Sequence, residues 1–361
     1  MTGEPTRPPR TALIRVWARS HFTLPPGPAP RWPTALQAAL SMFLPVAMFT
    51  AFGRPEVGLL AAGGAFTAIY LAWVPPRRRV RLLPIVAVAL IACAAAGAVA
   101  APAPVFAAIG LVLVAVVAAA LHYGYGLGPP GPVFFVLVYG LGTRVTAVVD
   151  GHRVVDPVVF VGAVAVGAAI AYAIVVVAFL ITRARQGGAA VPRQRMPRRP
   201  GLDRDAGALL VRVAIVAVAG TAISMLVVDP ARAYWTVGAG LAVIGVNAGR
   251  RIAFIRGSQR LVGTLAGAAL FAAMAFVPIP AWLLPFVLGT LQFAIEIFVV
   301  RNYALALVFI TPLVLTIIST AAAASGAVTG GLIVERVVDT LVGAVLGTAS
   351  GIVHPRRDAV G

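Results

Sequence analysis

The chain has 361 residues, of which 60% are hydrophobic and only 11% charged, with a mean hydropathy of +0.97. Soluble domains carry about 25% charged residues. An ordinary soluble enzyme and a disordered chain are therefore both excluded, and a multi-span membrane protein remains.

The net charge is +18, and every one of the 29 basic residues is arginine. Without lysine there is neither a P-loop lysine nor a Schiff-base lysine. The sequence pI of about 11.7 is high enough for nucleic-acid binding. The arginines fall between apolar runs, however, which fits membrane topology and predicts no nucleic-acid partner. Cys93 is the single cysteine, and His21, His122, His152 and His354 lack metal-ligand spacing, so neither a metal nor a cofactor is expected.

Residues 1–33 are rich in Pro and Arg and read as a cytoplasmic tail. Apolar segments follow at 34–53, 57–74, 82–101, 104–122, 130–149, 157–181, 207–228, 233–249, 261–279, 281–300, 303–320 and 331–353. A helical crossing takes roughly 20 residues, so these segments predict an all-α integral membrane protein with about twelve spans. The linker 182–206 carries seven arginines and separates a first membrane half, 34–181, from a second, 207–354, with a short tail at 355–361. The loops around 121–131 are the least defined. With the N-terminus inside, 23 arginines fall on the cytoplasmic side, and only Arg54, Arg153 and Arg232 fall outside. That asymmetry predicts a plasma-membrane protein with both termini in the cytoplasm. Trp73, Trp235 and Trp282 sit at span ends, as interface anchors do.

The halves read as a duplication. Arg153-Val154-Val155-Asp156 opens the last span of the first, and Arg336-Val337-Val338-Asp339 opens the last span of the second, 183 residues on. Both are followed by small residues. Six spans per half predict two parallel repeats about an axis along the membrane normal.

The second half also carries Ala233-Tyr234-Trp235, Arg256-Gly257-Ser258-Gln259-Arg260, Glu296 to Tyr303, and Glu335-Arg336-Val337-Val338-Asp339-Thr340. This pattern resembles the fusaric acid resistance protein-like family, related to the aromatic acid exporters. The first half is similar only in its arginine-rich loop and the Arg-Val-Val-Asp stretch. The resemblance implies an inner-membrane exporter of small, often aromatic, organic acids driven by proton exchange. The short linker departs from relatives that carry a soluble insert between their halves.

Charges at membrane depth are costly and mark candidate sites. Glu296 is the foremost proton-coupling candidate. Arg301 lies five residues on and roughly 140° round the helix. A structural ion pair with Arg301, or with an arginine of another span, is the competing reading. Glu335 and Asp339 share a helix face, and Arg336 stands three residues from Asp339, so the two acids are further proton candidates and Arg336 an anion candidate. The alternative is a self-neutralised cluster that holds the repeats together. Arg153, by repetition, is a second anion candidate, because a guanidinium binds a carboxylate in bidentate fashion. Arg301, Asn302 and Tyr303 complete the anion-binding set, although Asn302 and Tyr303 could equally cap a helix. Arg144 and Arg212, near span ends, are expected to snorkel to the headgroups. Gly263, Gly267, Gly343 and Gly347 have the spacing of close helix packing. Pro312 is a candidate helix break.

Three functions remain open: a proton-coupled exporter of organic anions, a passive anion channel, and a membrane scaffold. No protease or hydrolase motif supports an enzyme. The partners expected are the lipid bilayer and a small organic anion. A homo-oligomer is compatible with the sequence and not specified by it.

Overall fold

The computed structural model describes residues 18, 20–21, 23–25, 31–185, 201–246, 249–277, 279–324 and 331–353. Arginines 193–199 of the linker, Arg356 and Arg357 lie outside the described residues.

Twelve α-helices run through the described residues, one for each apolar segment of the sequence. They are α1 (Trp32–Ala51), α2 (Pro55–Ala65), α3 (Pro76–Ala100), α4 (Pro104–Gly124), α5 (Val133–Val145), α6 (Pro157–Arg185), α7 (Arg204–Leu226), α8 (Ala233–Ile244), α9 (Arg250–Ala275), α10 (Leu284–Phe298), α11 (Tyr303–Ala324) and α12 (Leu332–Ala349). Proline occupies the first turn of α1 to α4 and of α10, where its missing N–H costs nothing. A two-strand hairpin, β1 (Val148–Val149) and β2 (His152–Arg153), joins α5 to α6.

Five helices are long and apolar enough to cross a bilayer: α1, α3, α4, α6 and α7. Helix α4 exposes Phe106, Ile109, Leu113, Val117 and Leu121 along one stripe while burying Leu111, Ala115 and Ala119 on the other. That pattern suits a helix between lipid and protein.

Within the first half, α2 packs on α6, and α3 on α5 and α6. Within the second, α8 packs on α12, and α9 on α11 and α12. The halves meet where α1 lies along α10, α4 along α7, α5 along α8 and α2 along α11. One apolar core lies inside the first half. A second joins α4 and α5 to α7 and α8, and a third joins α1 and α2 to α10 and α11.

The glycine pairs form the seams their spacing predicts. A Cβ on Gly263 or Gly267 would strike the Ala304 and Leu307 carbonyls of α11, and one on Gly343 or Gly347 would strike the backbone of α8. Gly167 meets the Ala61 carbonyl of α2 in the same way.

Helix α11 continues through Pro312. The early stops fall instead on the second helix of each half. Helix α2 tightens into a 3-10 turn at Phe66–Ile69, and Leu71 then takes φ +56°. Helix α8 stops at Gly245, φ +60°. At 1.5 Å per residue, the 12-residue α8 is only about 18 Å long.

Candidate functional site

The bundle has a basic end, where α1 begins and where Arg77–Arg81 and Arg250–Arg256 cluster. There the two short helices finish against arginines. A helix C-terminus leaves carbonyls without intrahelical partners. Arg79, at the start of α3, binds three acceptors: Tyr70 O through Nε (3.2 Å), Gln37 Oε1 through Nη1 (2.9 Å), and Ala68 O. Arg256, at the start of α9, donates to Ala242 O (2.9 Å). Tyr123 of α4 donates to Gly245 O (2.7 Å), and Tyr70 donates to Gly131 O (3.0 Å).

Glu296, 5% exposed on α10, is ion-paired with Arg31, just ahead of α1, at 3.1 Å. Arg301, a candidate partner and anion ligand from the sequence, is exposed in the turn after α10. The competing ion-pair reading therefore describes the geometry, with an arginine from the tail as the partner. Described residues of that tail are bonded to the second half. Gln259 Nε2 donates to Ser20 O (2.7 Å), and Asn302 Nδ2 donates to His21 O (2.7 Å) and Thr23 O (3.3 Å). Asn302 also caps α11, accepting from Leu305 N at 3.0 Å.

At the opposite end, Arg232 gathers three acids. It lies 2.7 Å from Glu335, 3.4 Å from Asp229 and 3.7 Å from Asp339. Burial works against its charge, but the bond to Glu335 and the fields of Asp339, Glu335 and Asp229 outweigh that and raise its pKa above the ordinary arginine value. Asp339 is 1% exposed and Oδ1 has no hydrogen-bond partner among the described residues. Sequence reading placed Arg232 in a loop and missed it. Its spacing of three from Asp229 was the available signal.

Arg336 forms no ion pair with Asp339. Its guanidinium stacks on the Trp235 ring, 4.3 Å from the centroid, and the residue is 5% exposed. Nε and Nη1 are buried without a hydrogen-bond partner among the described residues. Arg260, Asp339, Tyr234 and Tyr303 are its electrostatic neighbours. Trp235 is thus a wall for a buried cation, while Trp282 stays exposed in keeping with an anchor. Tyr303 accepts from Arg260 Nη1 at 2.6 Å and lies beneath Arg256, 4.6 Å from guanidinium carbon to ring centroid.

Arg153 is not brought to Arg336. It sits in the hairpin and donates to Ala98 O (3.0 Å) and Thr146 O (3.2 Å). Asp156 accepts from Val158 N (2.6 Å) and Val159 N (3.4 Å) at the start of α6. Arg212 does not snorkel. It is fully buried and donates to Ser350 Oγ (3.2 Å) and Gly347 O (3.4 Å), whereas Arg144 is exposed. Among the described residues no group of His, Cys, Asp and Glu is arranged to hold a metal.

Fold and site together define a helical membrane protein with an arginine-lined interior in its second half. Residues 214–350, from α7 to the end of α12, match the family described as fusaric acid resistance protein-like. The resemblance read from the sequence therefore holds across that region. A curated relative, the uncharacterized membrane protein YvaC of Bacillus subtilis (strain 168), is 34% identical over 129 residues, which is 35% of this chain. The aligned stretch covers 20% of that relative's length. No solved structure matches the chain significantly. A membrane protein of this kind is consistent with a transporter.

Proposed function

We propose that the protein is a plasma-membrane transporter that exports small organic acids, aromatic ones included, in exchange for protons. The observation that carries this reading is Arg336: a guanidinium stacked on Trp235, buried, with two N–H-bearing nitrogens that find no acceptor among the described residues. Arginine does not deprotonate in a protein, so such a group calls for an anion. Asp339 and Glu335, drawn together on Arg232, are the proton acceptors of that end, and Glu296 is the acid at the basic end.

In this reading the twelve helices cross the membrane as two parallel six-helix repeats with both termini in the cytoplasm. Support comes from the packing. The partners α2–α6 and α3–α5 recur as α8–α12 and α9–α11, and the cross-half pair α1–α10 recurs as α7–α4. The excess of arginine on one side supports the orientation.

The test is proton flux in proteoliposomes on addition of benzoate, comparing wild type with Arg336→Gln and Glu296→Gln. Benzoate-dependent proton movement that is lost in both variants is expected. A passive anion channel is the second reading, favoured by the ion pair that already occupies Glu296. It predicts benzoate flux without proton movement, unchanged in Glu296→Gln. Full activity in Arg336→Gln would overturn both.

A further inference from the structure

We propose that the second half holds a second anion position at its basic end, built from Arg256, Arg260 and Tyr303, so that an organic anion crosses this half in two steps. The inference rests on the reading of Arg336 as the first position.

The three acids of this half near its arginines, Asp229, Glu335 and Asp339, all converge on Arg232. Arg256, Arg260 and Arg336 are left with no carboxylate within ion-pair distance among the described residues. Arg260 is 6% exposed and Arg256 half-buried, and the Nε of each is buried without a hydrogen-bond partner among the described residues. Arg260 and Arg336 are buried on α9 and α12, two helices that pack on one another. Buried charges of one sign are costly unless an anion compensates them. Losing the proton is not an escape open to arginine.

The hydrogen-bond inventory points the same way. A tyrosine hydroxyl accepts and donates. Tyr303 accepts from Arg260, and that leaves its own O–H to donate. Arg256 lies on the face of the Tyr303 ring, so two guanidiniums and one hydroxyl converge at the start of α11. The same three helices, α8, α9 and α12, carry three further buried hydroxyls with no partner among the described residues. They are Thr264, one turn beyond Arg260; Thr340, one turn beyond Arg336; and Thr236, next to Trp235. Donors with no acceptor on three packed helices suit an acceptor-only ligand, namely a carboxylate or another small oxyanion. Two weak positions in series let an anion bind without being trapped.

The test is calorimetric titration of benzoate into the full chain in nanodiscs, with Trp235 fluorescence read as the difference from Trp235→Phe. Wild type is expected to bind two equivalents and to show quenching of Trp235. Arg260→Gln is expected to keep one equivalent with the quench; Arg336→Gln keeps one without it. Tyr303→Phe, which removes a single hydroxyl and spares the fold, should weaken one equivalent about tenfold. Arg260→Lys should restore the second equivalent in part. One equivalent in wild type, unaffected by Arg260→Gln and by Tyr303→Phe, overturns the inner position. One equivalent lost in Arg260→Gln but kept in Arg336→Gln keeps the inner position and sinks the Arg336 reading. No benzoate bound by wild type overturns both.

Discussion

The two halves carry the same four residues, Arg-Val-Val-Asp, and use them differently. In the first, Arg153 lies in a hairpin with its guanidinium on two carbonyls, and Asp156 serves the start of α6. In the second, Arg336 and Asp339 are already inside α12, buried and short of partners. One residue accounts for the difference. Pro157 follows Asp156 in the first half, and Thr340 follows Asp339 at the matching place in the second. Proline keeps the residue before it out of the helical region, so α6 begins only there. Threonine imposes no such stop, and α12 begins eight residues earlier in register, at Leu332. A shared four-residue motif therefore does not fix its own surroundings. The helix register decides what its side chains meet.

The sharpest way to break this comparison is to make the second half resemble the first. Thr340→Pro would clash with the Arg336 carbonyl one turn back and remove a helical hydrogen bond, a loss of about 3 kcal/mol or more. Thermal unfolding in detergent should show a large drop, and benzoate binding should disappear with it.

Next comes the charge itself. Arg336→Gln removes charge-assisted bonds from the proposed anion, and flux per reconstituted protein should fall roughly 100-fold. Arg153→Gln should leave flux within about twofold, because its hydrogen bonds go to backbone carbonyls and support only the hairpin. Equal losses in the two variants would make the halves functionally alike and overturn the contrast.

The loop arginines give a smaller effect. Arg232→Ala leaves Asp339 buried with no cation in ion-pair range. It should cost about 2 kcal/mol, held down because Glu335 and Asp229 are 43% and 40% exposed and partly solvated. Arg54, whose pair with Glu56 is exposed on both sides, should change stability by less than about 0.5 kcal/mol when replaced by Ala. Parallel melting curves decide between these.

A comparable effect is expected where the tail meets the second half. A double-mutant cycle over Arg31→Ala and Glu296→Gln should give a coupling of about 1–2 kcal/mol, because one partner is buried and the other partly exposed. No coupling would mean that the pair is incidental and would return Glu296 to the role of a free acid.

Sequence alone determined the twelve helices, their order and most of their limits, since an apolar run between proline, glycine and arginine is a local property of the chain. It also singled out Arg336, Glu296 and Asp339, because a charge inside an apolar run is visible without a fold. Local reading has no access to partners. Arg31 and Glu296 are 265 residues apart, and Arg212 and Ser350 are 138 apart. Periodicity within one helix carries no information about such pairs. For that reason only the packed bundle decided that Arg212 is buried rather than at the headgroups, that Arg232 takes the acids, and that Arg336 and Arg260 are left without a carboxylate among the described residues. Helices form from neighbours in sequence, whereas charges in a low-dielectric interior are settled by whichever neighbours the packing supplies.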